Sequence, residues 1–320
     1  MINLSSLLYL NFAIDLATLS LIILLLLFSL LSLCLIFYLR FKTQSSNDNY
    51  LDRFNAFWTV RLLLVIFIIF WTLNELLRIP FFRIGYIYPF ITSLTLSQQD
   101  NLCKIHLVLS LGLLEPGFLV TLLFLLHVSI KQKTPRGSWA FAFLLATCLP
   151  ISLVQFLFVF FQRLAVGLLP NIFLVTSTIV KDGLGGNTVL CAFPLFSTAL
   201  FGAFGIVYCL YFMFSCWSVI SLVINKTLRV RIRILAFTVL ASIGLQVLFL
   251  GLSVLWEPKE GAFGAVAFLV FLSTFACAVV GEVILVIIPI IDSLAVRGDS
   301  YRWNITHSVT MEDSNKEESL

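Results

Sequence analysis

Seven apolar runs divide this chain and leave it very few possible folds. They fall at Leu16–Tyr38, Phe57–Leu77, Ile105–Ile130, Trp139–Phe161, Leu195–Ile224, Ile234–Trp256 and Phe263–Ile291. A bilayer core about 30 Å thick is crossed by roughly 20 apolar residues in a helix. Where water is absent, the backbone must satisfy its own polar groups, which a helix does within one segment. No interval between the runs is long enough for a soluble domain. The composition agrees: 60% of residues are hydrophobic and 11% charged, whereas soluble domains have about 45–50% and about 25%. The expected architecture is an all-α, seven-transmembrane helix bundle over residues 15–294. A short extracellular N-terminus (1–14) precedes it and a disordered cytoplasmic tail (295–320) follows.

The connecting segments set the orientation. Arg40, Lys42, Arg53, Lys131, Lys133, Arg136, Lys226, Arg229, Arg231, Arg233, Arg297, Arg302 and Lys316 follow odd-numbered runs; Arg78, Arg83, Lys104, Arg163, Lys181 and Lys259 follow even-numbered ones. Basic residues concentrate on the cytoplasmic side, so the N-terminus is expected outside and the C-terminus inside. Sequons at Asn3, Asn225 and Asn304 do not alter this. No Lys or Arg lies in the first fourteen residues, and no cleavable signal peptide is expected. The formal charge of +4 carries no basic stripe away from the membrane flanks, which argues against nucleic acid as a partner.

Five of the seven cysteines lie within the runs and are read as small buried side chains. Cys103 and Cys191 lie on the expected outer side, where thiols meet an oxidising environment. A Cys103–Cys191 bridge would tie the loop between helices four and five to helix three; the alternative is two free thiols. In that loop, FLVTSTIV and NTVLC are rich in β-branched residues and flank the turn-forming KDGLGGN, which predicts a short β-hairpin there.

Charges inside the runs are expensive and are expected to face the bundle interior. Glu115 lies twelve residues beyond Cys103, hence about 18 Å deeper at the helical rise. Pro116, beside it, has no N–H for the Gly112 carbonyl and would clash with it, so a kink is expected, eased by Gly112 and Gly117. Glu115 then either stabilises the broken backbone or serves as a ligand contact or protonation switch. In the second run Arg61, Ile68, Thr72 and Glu75 share a helical face. Glu282, in the inner half of the seventh run, falls near the depth of Arg61, which suggests an Arg61–Glu282 ion pair acting as a clamp or as a latch. Glu75, His106, Ser110, Glu115, Gln155, Gln246, Ser273 and Thr274 are the polar candidates for the walls of an outward-opening ligand pocket.

Only three histidines occur, His106, His127 and His307, and the chain carries no metal-ligand motif, Walker motif or nucleophile elbow. No enzyme activity, metal or cofactor is expected.

The stretches FNAFWTVRLLLVIFIIFWTLNELLRIPFFR and CKIHLVLSLGLLEPGFLVTLLFLLHVSI resemble a plant-specific seven-span family, the candidate G-protein-coupled receptors, which includes phytomelatonin-receptor-like proteins. The likeness covers roughly Arg40 to Ile130 in sequence, and the remainder by number of spans. It implies a plasma-membrane receptor that binds a small ligand such as melatonin and signals through a heterotrimeric G protein α subunit. The chain departs from animal receptors at three places: the third run ends LLHVSIKQK with no acidic-Arg-Tyr motif, the seventh has Pro289 without Asn-Pro-x-x-Tyr, and the sixth lacks Trp-x-Pro. No family ligand residue is carried over. The basic segment NKTLRVRIR is the expected inner loop for a cytoplasmic partner. The competing functional classes are a secondary or proton-coupled carrier using Glu115 and Glu282, and a non-catalytic membrane scaffold.

Overall fold

The computed structural model describes residues 4–44, 58–83, 95–131, 137–161, 170–181, 187–258 and 260–295. Seven of its helices are long and apolar enough to cross a bilayer. They are α1 (Leu4–Gln44), α2 (Trp58–Leu76), α3 (Leu96–Lys131), α4 (Gly137–Phe160), α5 (Leu195–Leu222), α6 (Lys226–Ser253) and α7 (from Gly261, helical to 295). A single turn, Pro80–Phe82, follows α2.

Several helix ends fall where hydropathy alone does not put them. α1 begins at Leu4, well before its apolar run. α3 begins at Leu96, where the Gln98 Oε1 accepts from the Thr95 N–H at 3.0 Å, closing the first turn as a capping box does. α6 begins at Lys226, because the Asn225 side chain caps it by accepting from the Thr227 N–H at 2.9 Å. The segment NKTLRVRIR is therefore the first turns of α6 and not the loop expected from its charge.

The helices close into a ring around α3. α6 packs most extensively on α7, α3 on α4 and α2 comes next, and then α5 on α6, α1 on α2 and α1 on α7; α3 also meets α5. In α3, 83% of the apolar window is buried, against 50% or less in the other six, which makes it the central rod. The outer surface is rich in large apolar side chains: Trp217 is 77% exposed, Phe237 76% and Phe214 72%. Monomeric soluble proteins rarely expose apolar patches of this extent, and acyl chains are the solvent that suits them.

Between α4 and α5 lie two antiparallel strands, β1 (Ser177–Lys181) and β2 (Asn187–Cys191), in register from Ser177↔Cys191 to Lys181↔Asn187. Val189 is buried, while its cross-strand partner Ile179 is exposed. The hairpin rests on the first turns of α3: Ser177 Oγ donates to Asp100 Oδ1 at 2.6 Å, and the Val189 N–H donates to Gln99 Oε1 at 3.2 Å. The Cys103–Cys191 disulfide closes this contact across a Cα–Cα distance of 5.2 Å. The turn 182–186 and the tail from 296 lie outside the described residues.

Pro116 and Pro289 have the same effect on their helices. Each is preceded by a widened π-helical stretch, Val108–Leu114 in α3 and Val283–Ile287 in α7. The Glu115 N–H reaches back to Ser110 O, and the Ile288 N–H to Val283 O, five residues each. A proline removes one donor and its ring crowds the carbonyl four residues back. Widening the turn shifts that carbonyl aside. The kink expected at Pro116 is thus realised as a π turn, a feature that recurs at functional sites.

Candidate functional site

The π turn of α3 lets two polar side chains meet. In an α-helix, residues five apart point about 140° away from each other. Here Ser110 and Glu115 are five apart, yet Ser110 Oγ donates to Glu115 Oε1 at 2.9 Å. Trp71 Nε1 of α2 donates to the same oxygen at 3.1 Å, and Gln246 Nε2 of α6 donates to Glu115 Oε2. Trp71 also stacks on Phe271 of α7, with ring centroids 5.6 Å apart. One buried carboxyl therefore joins α2, α3 and α6 directly, and α7 through the ring of Trp71.

The network continues towards the hairpin end. Ser110 Oγ also lies 3.4 Å from Glu75 Oε1. The other Glu75 oxygen accepts from Arg78 Nε at 3.0 Å. His106 and Asn74 bond each other: Asn74 Nδ2 donates to His106 O at 3.1 Å, and His106 Nδ1 lies 3.0 Å from Asn74 O. A carbonyl oxygen only accepts, so Nδ1 carries the proton. His106 Nε2, without a hydrogen bond, stands 4.0 Å from Glu75 Oε1.

Arg78 also lines a cavity of about 530 Å³ at the hairpin end, between α1 and α7 and under β2. Asn11 and Asp15 of α1, Glu260, Phe268 of α7 and Cys191 are among its walls. Beside it, Arg83 is buried against the disulfide. Its Nη1 is 3.5 Å from Cys103 Sγ and 3.6 Å from Cys191 Sγ, and its Nη2 donates to Val189 O at 2.9 Å.

Of the candidates read from sequence, Glu75, His106, Ser110, Glu115 and Gln246 come together. Three others lie apart from them. Gln155 Nε2 donates to Ser197 O at 3.3 Å and joins α4 to α5. Thr274 and Ser273 donate to Val270 O of their own helix, at 3.4 and 2.7 Å. The Arg61–Glu282 pair is not made: no ion pair joins them among the described residues. Arg61 is buried with Nε unpartnered, while Glu282 faces α1 and accepts from Ser29 Oγ at 3.0 Å. Similar depth does not give two residues the same azimuth.

Trp71, Asn74, Arg78 and Arg83 are the participants that sequence reasoning missed. In the sequence Arg78 and Arg83 stand as charges of a connecting segment and Trp71 as one more apolar residue of the second run. The signal was present in WTLNELLR, whose polar positions 72, 74, 75 and 78 follow helical spacing.

No curated protein and no solved structure matches the chain. A family model described as Uncharacterised conserved protein UCP031277 matches residues 7–302, and the chain belongs to that family.

Proposed function

We propose that this protein is a seven-transmembrane receptor whose hairpin end faces outward and whose cavity takes a small, largely apolar ligand. The observation that carries the proposal is the continuous polar path from the cavity to α6, through Arg78, Glu75, Ser110, Glu115 and Gln246. The cavity volume lies within the roughly 300–1,000 Å³ usual for small-molecule sites. Its walls combine apolar rings with a few polar groups, which suits an apolar body with one hydrogen-bonding head. An indole such as melatonin, the ligand suggested by the sequence resemblance, has that form.

A ligand that draws Arg78 towards itself weakens the hold of Arg78 on Glu75. Ser110 has a single proton and two carboxyls to choose between, so a change at Glu75 is felt at Glu115 and then at Gln246. α6 leaves the bundle at its other end with Arg229, Arg231 and Arg233 in its first turns, and Arg231 bonds Asp292 of α7 at 2.6 Å. Movement of α6 would part that pair and present basic side chains to a G protein α subunit. The basic bias supports a cytoplasmic position for this end and the disulfide supports an outer position for the hairpin, in a plasma membrane.

The two carboxyls bridged by one hydroxyl also favour a second reading, a proton-coupled carrier. Reconstitution of the full chain in sealed vesicles separates the two. Melatonin-dependent nucleotide exchange on a plant Gα subunit, without solute flux and lost in Arg78→Gln, supports the receptor. Proton-coupled flux lost in Glu115→Gln supports the carrier. Neither signal leaves a scaffold.

A further inference from the structure

We propose that Glu282, Ser29 and Ser32 form a binding site for a monovalent cation, sodium, in the seam between α1 and α7. All three side chains are 0% exposed. Ser29 Oγ holds Glu282 Oε2 at 3.0 Å. Ser32, one turn further along α1, presents its hydroxyl to the same carboxyl. That hydroxyl and Glu282 Oε1 nevertheless have no hydrogen-bond partner. No Lys, Arg or His makes an ion pair with Glu282 among the described residues.

The other buried carboxyls are compensated. Glu75 has Arg78, and Glu115 accepts from three donors. Of the other buried serines, Ser253, Ser273 and Ser293 each donate to the carbonyl three residues earlier, Ser110 donates to Glu115, and the hydroxyls of Ser197 and Ser215 have no partner but also no carboxyl against them among the described residues. Ser29 and Ser32 instead point across the seam, where two hydroxyl oxygens meet both oxygens of a carboxyl that has no basic partner among the described residues. Burying such a charge is costly unless a counter-charge joins it. A single carboxylate with two neutral hydroxyls reaches neutrality with one monovalent cation. A divalent ion would leave excess positive charge, and calcium asks for six to eight oxygens. The proposal is independent of the receptor reading, since the cation here bridges two helices of the fold whatever occupies the cavity.

The test is thermal unfolding of the purified full-length chain in detergent, with sodium chloride exchanged for choline chloride at equal ionic strength. A ligand that binds only the folded state raises Tm in a concentration-dependent way. The expected result is a sodium-dependent rise in Tm that is lost in Glu282→Gln and needs more sodium in Ser32→Ala. A wild-type Tm that ignores the exchange, as a carboxyl holding a proton would give, overturns the proposal; so does a sodium-dependent rise that survives in Glu282→Gln. Should that variant fail to fold, sodium NMR line broadening decides. Broadening by the wild type that is reduced in the Ser29→Ala, Ser32→Ala double variant supports the site, and equal broadening overturns it.

Discussion

At the scale of single residues, Glu115 is where the bundle concentrates its polar interactions. Its three donors make the two obvious substitutions unequal. Glu115→Gln keeps the shape but sets an amide NH₂ among groups that already donate, and a buried group left unpaired costs about 1–3 kcal/mol. Glu115→Ala strands Trp71, Ser110 and Gln246 together and should lower Tm further. Thermal melts of the two variants beside wild type check that order. Sequence was informative here because a carboxylate in an apolar run has few explanations; Glu115, Ser110, Glu75 and Gln246, candidates for the pocket walls on sequence, are all buried. It failed for Arg61 and Glu282, since hydropathy gives depth but not the angle at which helices face each other. The pair Ser29–Ser32, in the otherwise apolar middle of α1 from Leu21 to Tyr38, was the sign that Glu282 would turn towards α1.

At the scale of elements, close packing against α3 depends on missing side chains. A Cβ on Gly117 would lie 2.5 Å from Cε1 of Phe67 in α2. Overpacking of this kind costs about 1–3 kcal/mol, so Gly117→Ala should be destabilised, and Phe67→Leu in the same chain should recover part of the loss. Additive effects in the double-mutant cycle would refute the contact. Gly281→Ala should be milder, because the Cβ meets the flexible tip of Leu122, Cδ1 at 2.9 Å. The Arg231–Asp292 pair is 31% and 53% exposed at its side chains. Exposed pairs contribute about 0–1 kcal/mol, so Arg231→Ala should leave Tm nearly unchanged. Were the receptor proposal right, it would instead raise ligand-independent nucleotide exchange. The π turns were only half legible: Pro116 announced a disturbance, but whether a proline kinks a helix or widens it depends on the neighbours that fill the turn. Pro150, inside an α4 that stays α-helical, shows that proline alone does not decide.

At the scale of the whole molecule, hydrophobic spacing was enough to find seven helices, and the two cysteines outside the apolar runs found each other. Cys103 and Cys191 stand 88 residues apart, so the bridge closes a long loop, and loss of such a native disulfide typically costs about 2–5 kcal/mol. Cys103→Ser should abolish the mobility difference between reducing and non-reducing gels and lower Tm. A cysteine placed at the exposed Ile179 of β1 should react with an impermeant maleimide on intact cells; labelling only after permeabilisation would invert the proposed orientation. The position of the cavity was not legible, because it forms between α1 and α7, whose facing residues are set by packing and not by polarity. The widened turn at Val108–Leu114 has one more implication, for how such chains vary over time. It behaves as an inserted residue, so a relative shortened by one position there would regain an ordinary helix while keeping each half of the rod internally intact. A residue lost between Ser110 and Glu115 would set those two four apart, about 40° from each other round an ordinary helix, so the hydroxyl–carboxyl meeting would survive without the widened turn. A one-residue gap in an alignment at that point would therefore mark a rod made regular without loss of its polar pair.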